Sequence, residues 1–247
     1  MGAIDIKNLT VSINHKALIR NLSLSIPRGE LHVLMGPNGA GKSSLSKAIS
    51  GHPDYEITTG TITLDGTQIV GLKPDEIARH GLFIAFQHPL EIEGVTVANL
   101  LRTAIQATDM NKKISVQTYY EDLYKAMDNL KIDRSFSSRS LNVGFSGGEK
   151  KRCEILQMMM LKPKFALLDE PDSGLDVDGM KIVANGINSM RDSKFSALII
   201  THYQRLLDHI DPDRIHIMIA GQIVRSGGKS IVKELETHGY DWLDKDS

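Results

Sequence analysis

Leu31-His32-Val33-Leu34-Met35, then Gly36-Pro37-Asn38-Gly39-Ala40-Gly41-Lys42-Ser43, then Ser44-Leu45-Ser46-Lys47-Ala48-Ile49 is the stretch that decides the fold. The first five residues form a nearly continuous apolar run, the kind buried inside a parallel sheet. From Ser43 onward Leu45, Ala48 and Ile49 recur at helical spacing. Between strand and helix, every fixed position of the phosphate-loop pattern is filled. Glycines let the backbone curl so that consecutive N–H groups point inward at an anion, and the helix that follows adds its positive end. Lys42 is expected to reach the β- and γ-phosphates of a nucleoside triphosphate, and the Ser43 hydroxyl to ligate Mg²⁺. The expected cradle is therefore Gly36, Pro37, Asn38, Gly39, Ala40, Gly41, Lys42 and Ser43, with Ser44 next to it. Without its flanking strand and helix the same segment reads as a glycine-rich turn carrying a surface lysine.

Working outward, residues 4–7 and 22–26 alternate apolar and polar side chains, and Pro27 and Gly29 then break the chain. Residues 61–64 alternate again between Gly60 and Gly66, which predicts an antiparallel strand attached to the first sheet. From 96 to about 131 the period becomes helical: Val97, Leu100, Leu101, Ala104 and Ile105 share a face, and Leu123, Met127 and Leu130 follow. Two further apolar runs, 165–168 and 197–200, flank a helical pattern at 180–190 and predict a strand-helix-strand crossover unit. The reading is α/β: a mostly parallel sheet core, an N-terminal antiparallel β subdomain and a helical subdomain inserted at about 90–160, all in a single domain over 1–247.

Phe165-Ala166-Leu167-Leu168-Asp169-Glu170 is an apolar strand delivering two adjacent carboxylates to the sheet edge that carries the glycine-rich loop. Asp169 is expected to hold Mg²⁺, directly or through water, and Glu170 to polarise the attacking water as general base. Alone, such a pair is also a common way to end a strand. Ser146-Gly147-Gly148-Glu149-Lys150-Lys151-Arg152 opens another helix, whose apolar face is Ile155, Leu156 and Met159. Ser146 is a good N-cap and two glycines leave first-turn N–H groups uncovered, so this is a second candidate anion site. Three basic residues at a helix start run against the usual preference for acids, which suggests a nearby anion. An ordinary capped helix with a solvated basic turn is the plainer reading.

Phosphate loop, Ser-Gly-Gly signature and Asp-Glu strand end, in this order and over nearly the whole chain, resemble the ABC ATPases. The resemblance implies a Mg-dependent ATPase with ATP and Mg²⁺ as its ligands. It implies that Gln87 senses Mg²⁺ and the attacking water, that Ser173-Gly174-Leu175-Asp176 is the D-loop with Asp176 near nucleotide, and that His202 contacts the γ-phosphate. It also implies head-to-tail pairing with a second ATPase subunit, in which the ATP in one phosphate loop is covered by Ser146, Gly147 and Gly148 of the other. A second helix amino terminus would help neutralise the charge that develops on the transferring phosphoryl. Departures are an aliphatic residue where many relatives stack an aromatic on adenine, near Ile13 and His15, together with Phe145 and Glu149 in the signature.

Finer wording resembles the soluble ABC ATPases of the Suf iron-sulfur assembly machinery. The residues that carry it are Asn142 through Arg152, Glu154-Ile155-Leu156-Gln157-Met158, Asp172-Ser173-Gly174-Leu175-Asp176, Phe86-Gln87-His88-Pro89, Thr201-His202-Tyr203-Gln204-Arg205 and Gly239-Tyr240, with Pro171 a small departure. The implied partners are SufB-like and SufD-like scaffold proteins, each carrying one ATPase subunit, in the cytoplasm or an organelle stroma. The implied docking surface is 88 to about 108, where Leu90, Ile92, Val95 and Leu100 read equally well as core.

Composition agrees with this reading. The chain has 247 residues, 29 Lys and Arg against 30 Asp and Glu, and a formal charge of −1, which gives no bulk attraction to nucleic acid or anionic lipid. Its one cysteine, Cys153, cannot ligate a cluster by itself, so a motor role leaves cluster ligands to other proteins. Cys153 and the run Met158-Met159-Met160 read as helix packing. Residues 1–6 lack the pattern of a secretory signal, and no apolar run approaches the length of a membrane span, so no direct membrane insertion is expected. The rival expectations are the nucleotide-binding subunit of a membrane transporter and a non-catalytic nucleotide switch.

Overall fold

The computed structural model describes residues 2–108, 115–201 and 204–240. Strands β1 (Ile4–Ile13) and β2 (Lys16–Ile26) form an antiparallel hairpin whose two-residue turn, Asn14 and His15, has positive φ at both positions. That geometry matches the twist of paired strands. β3 (Leu31–Met35) follows, then α1 (Lys42–Ile49), β4 (Glu56–Leu64), β5 (Thr67–Gln68), the short α2 (Pro74–Arg79) and β6 (Leu82–Ala85). β4 pairs with β1, so the amino-terminal sheet runs β2-β1-β4-β5 and is antiparallel throughout.

The helical insertion begins after β7 (Ile92–Thr96) with α3 (Val97–Thr108) and α4 (Val116–Asn129). It continues through a 3-10 turn at Arg134–Ser138 and β8 (Ser140–Leu141), which pairs with β7, to α5 (Gly147–Leu161). Ser115 caps α4 by accepting the Thr118 N–H, and the Tyr119 hydroxyl donates to the Ala98 carbonyl at 2.6 Å, tying α4 to α3. The chain then completes the main sheet with β9 (Phe165–Asp169), α6 (Val177–Ser189), β10 (Ser196–Ile200), α7 (Gln204–Leu207), β11 (Arg214–Ile219), β12 (Gln222–Gly227) and α8 (Ser230–His238).

The main sheet has the order β12-β11-β3-β10-β9-β6, with every pairing parallel except the β11–β12 hairpin. Its central strands are buried on both faces. Leu31, Val33, Ala166, Leu168, Ala197 and Ile199 pack with the helical insertion, α6 and α7, while Leu34, Phe165, Leu167, Leu198 and Ile200 pack with α1 and the amino-terminal sheet. Burial on both sides explains why these strands read as continuous apolar runs rather than alternating ones. Met158 is fully buried and Met159 and Met160 pack against the same core, as does the buried thiol of Cys153, whose pKa burial pushes up to about 12.

The buried His32 of β3 and His216 of β11 link a polar chain that runs from Glu30 to Ser226 of β12: Glu30 Oε2 to His32 Nε2 at 2.8 Å, His32 Nδ1 to His216 Nε2 at 2.9 Å, and His216 Nδ1 to Ser226 Oγ at 2.7 Å. With both imidazoles neutral each contact pairs one donor with one acceptor. Burial lowers both pKa values, that of His216 to about 3.

Candidate nucleotide site

Parallel sheets gather ligands beyond the carboxyl ends of their strands. Here the ends of β3, β6 and β9 bring the glycine-rich loop, Gln87 and the two acids together.

The loop is built by close backbone approach. A Cβ on Gly36 would sit 2.2 Å from the Met218 carbonyl of β11, so no other residue fits without moving the sheet. Gly39 and Gly41 have φ of 81° and 105°, where only glycine is unstrained. Gly41 caps α1 without a side-chain hydrogen bond, and the first turn contains no acid, so its N–H groups keep their positive end uncovered. The Lys42 ammonium, 7% exposed, donates to the carbonyls of Gly36 at 2.7 Å and Pro37 at 3.0 Å, so the lysine lies back across the loop. Burial lowers its pKa, against the pull of Glu170 and Asp169.

Asp169 ends β9 and is buried. Burial pushes its carboxyl up, the Glu170 charge adds to that, and a hydrogen bond from Ser43 with the cations Lys151 and Lys42 opposes it. Its Oδ1 is buried with no hydrogen-bond partner. A buried, orphaned carboxylate oxygen beside a serine hydroxyl offers the hard oxygen chemistry of a Mg²⁺ site completed by phosphate and water. The residues present therefore fit that ion.

Glu170 has a positive φ of 49°, an uncommon conformation for a non-glycine residue, and its N–H is held by the Ile200 carbonyl at 2.9 Å. Its Oε2 accepts a 2.7 Å hydrogen bond from Gln87 Nε2. Asp172, 2% exposed and in the turn after Glu170, accepts from the Thr201 hydroxyl at 3.0–3.1 Å and so ties that turn to the end of β10. In sequence Asp172 carries no signal beyond its place at the head of Asp172-Ser173-Gly174-Leu175-Asp176. Tyr240 is half-buried and takes a backbone hydrogen bond from Gly36, so the Gly239-Tyr240 ending touches the loop itself. His202 lies outside the described residues.

The second candidate anion site is elsewhere. Ser146 caps α5 in a reciprocal capping box: its hydroxyl accepts from the Glu149 N–H at 3.3 Å, and Glu149 Oε2 accepts from the Ser146 N–H at 2.7 Å. The Ser-x-x-Glu spacing is the signal for this box. The box leaves the N–H groups of Gly147 and Gly148 uncovered. Ser146 and Gly148 line a concavity of about 390 Å³ with Gly174 and Asp176, and no residue of the 36–43 loop contributes to it. Asp176 caps α6, accepting from the Gly179 N–H at 2.7 Å. The three basic residues that follow Ser146 are each engaged by groups of this chain. Lys150 pairs with Glu91 at 2.7 Å, Lys151 is buried against Glu154 and the Phe86 carbonyl, and Arg152 donates to the carbonyl of Lys131 at 3.0 Å. Their partners lie within the chain.

The model of the family described as "ABC transporter" matches residues 19–173, a span containing the loop, Gln87, the Ser146 signature and both acids. This chain belongs to the ABC ATPase family. The ABC ATPase is 51% identical to Vegetative protein 296 of Bacillus subtilis (strain 168), over 98% of this chain and 93% of that protein. It is 48% identical to the "Probable ATP-dependent transporter SufC" of Escherichia coli (strain K12), over 97% and 98% of the two chains. Among solved structures it resembles the ATP-binding subunit of an ABC transporter, with a TM-score of 0.81, 24% identity and 99% and 98% coverage. It also resembles the dimeric structure of a bacterial ABC transporter cassette, with a TM-score of 0.78, 21% identity and 91% and 98% coverage. These two likenesses bear on the fold. The chain is thus an ABC ATPase that is similar to that SufC protein along nearly its full length. No helix among the described residues is long and apolar enough to cross a membrane.

Proposed function

We propose that this ABC ATPase hydrolyses Mg-ATP as the motor of a SufBCD-like iron-sulfur assembly complex, with two ATPase subunits closing head to tail on ATP. The observation that carries the hydrolytic part is the convergence of Lys42, Ser43, Asp169, Glu170 and Gln87 at one sheet edge, with Gln87 bonded to Glu170. The N–H groups of the loop and of the first turn of α1 hold the α- and β-phosphates, and Lys42 moves from its own loop carbonyls to the β- and γ-phosphates. Ser43, Asp169 and Gln87 would hold Mg²⁺, which would supply positive charge to offset that of the triphosphate. Glu170 accepts hydrogen bonding from the attacking water and orients it, with Gln87 fixing the carboxylate. His202, in this reading, contacts the γ-phosphate.

Completion by a second subunit is supported by where the Ser146 helix lies. Its uncovered N–H groups share a cavity with Gly174 and Asp176 rather than with the chain's own loop. Facing a second copy's triphosphate, Ser146, Gly147 and Gly148 supply the positive helix end on the opposite side of the γ-phosphate, and Asp176 positions the adjoining turn.

The assembly role rests on likeness to SufC along nearly the full length of both chains. Phe86 and Leu90, 53% and 74% exposed, with exposed Ile92 beside them, form an apolar edge next to Gln87 that suits a partner protein. Val95 and Leu100 are half-buried there. Tagged chain purified from its source cell tests the reading: a soluble SufB-like and SufD-like pair is the expected catch. The alternative is the nucleotide-binding subunit of a membrane transporter, which the relatives' names favour. A polytopic membrane protein in place of the scaffold pair decides for it.

A further inference from the structure

Phe86, the residue before Gln87, has both of its backbone polar groups held by one helix. Its N–H donates to Glu154 Oε1 at 2.8 Å, and its carbonyl accepts from Lys151 Nζ at 2.9 Å. Lys151 and Glu154 are 4% and 5% exposed and lie 3.6 Å apart as an i,i+3 ion pair on α5. Phe86 follows the last residue of β6, and a residue leaving a sheet has no strand partner to satisfy those groups. The phenyl ring is exposed, so the clamp acts on the main chain and leaves the side chain free.

The clamp is an expensive way to hold a backbone. Two charges are withdrawn from water, and Glu154 Oε2 has no hydrogen-bond partner. Burial pushes the Glu154 carboxyl up to about 7, against the pull of Lys151 and the Phe86 N–H. Apolar side chains of similar size commonly match or exceed the stability of such a pair, so stability alone does not account for it.

We propose that Lys151 and Glu154 are positioning residues for hydrolysis: they fix the main chain at Phe86, aim the Gln87 amide at Glu170, and carry any displacement of the Ser146 end of α5 to Gln87. This rests on the assignment of Gln87 and Glu170 to hydrolysis. Ser146 and Lys151 are five residues apart, about 7.5 Å along a rigid helix axis. When the Ser146 end engages a triphosphate across the subunit interface, the clamp moves with it. The main-chain step from Phe86 to Gln87 is one residue, and the Gln87 amide already touches Glu170. Binding of ATP in one subunit's loop is thereby reported to the hydrolytic pair of the subunit that covers it. The exposed Phe86 ring lies on the same lever, so a partner seated on it pushes on the same backbone.

The test compares the full chain with the double variant Lys151→Met/Glu154→Leu and with Gln87→Ala, measuring Mg-ATP affinity, kcat, KM and amide exchange at Phe86. The double variant is expected to keep its thermal midpoint and its KM within about twofold, to lose roughly tenfold or more in kcat, and to exchange its Phe86 amide faster. Glu154→Gln, which keeps an acceptor oxygen for the Phe86 N–H, is expected to recover much of the lost kcat. Should the double variant not fold, Lys151→Met alone carries the same test, because the remaining carboxyl can take up a proton and stay neutral. Wild-type kcat in the clamp variant, with kcat lowered in Gln87→Ala, overturns the clamp and leaves the role of Gln87 intact. Wild-type kcat in Gln87→Ala overturns the role of Gln87 and the proposal with it. Unchanged exchange at Phe86 overturns the clamp directly.

Discussion

Gln87 Nε2 lies 2.7 Å from Glu170 Oε2, joining the second residue beyond β6 to the residue just beyond β9. The two strands are neighbours in the sheet, so parallel pairing alone brings a glutamine and a glutamate 83 residues apart into contact. The contact leaves Glu170 held in position with a carboxylate to offer to water.

Glu170→Gln should therefore keep Mg-ATP binding and lose hydrolysis. A positioned general base contributes roughly a hundredfold to ten-thousandfold. Phosphate release should fall within that range while a nucleotide titration stays near wild type. Loss of both together counts against Glu170 as the base.

Gly36→Ala has a steric basis, since its Cβ would fall 2.2 Å from the Met218 carbonyl. Either β11 or the loop must shift, and the expected loss is on the order of 1–3 kcal/mol of stability, with weakened nucleotide affinity. Urea unfolding and ATP titration measure the two effects. Gly39→Ala makes a useful comparison, because nothing lies within 4 Å of its Cβ and its strain comes from φ alone.

Ser146→Arg should retain nucleotide binding, because no loop residue lines the cavity of Ser146, and should abolish turnover. It also breaks the capping box with Glu149, at about 1 kcal/mol. Equal loss of binding and turnover is the result that contradicts a role across an interface.

Most of the fold was legible because its strands are buried on both faces. Runs such as Phe165-Ala166-Leu167-Leu168 need no partner in view to be read as parallel strands. Strands at the ends and the turns carried weaker signals. β11 holds a histidine where an apolar residue is expected, and its partner His32 is remote in sequence, so the pair could not be seen before the two strands were set side by side. The loop, the acids and Ser146 follow local patterns and were readable. The partners of Lys150, Lys151 and Arg152 were not, since each lies on another element brought near by tertiary packing. In sequence the basic turn points only to a nearby anion, whereas packing also gives each cation a carboxylate or carbonyl of this chain.

The buried histidines predict a pH dependence of stability. The folded pKa of His216 is depressed to about 3 from an ordinary 6.5, so in the interval between them the unfolded chain binds more protons than the folded one. Stability is full above pH 6.5 and is lost as pH falls below it, by about 2 kcal/mol at pH 5 from this residue. Denaturant midpoints between pH 5 and 8 should show that slope, and His216→Asn should reduce it. An identical slope in the variant would mean that other groups set it.

The most direct test is the structure of Glu170→Gln with Mg-ATP bound. The account predicts the triphosphate within Gly36–Ser43, Mg²⁺ beside Ser43 and Asp169, and the Ser146 helix of a second copy against the γ-phosphate. A nucleotide seated away from that loop, or a loop-bound nucleotide left uncovered in a closed dimer, would contradict it.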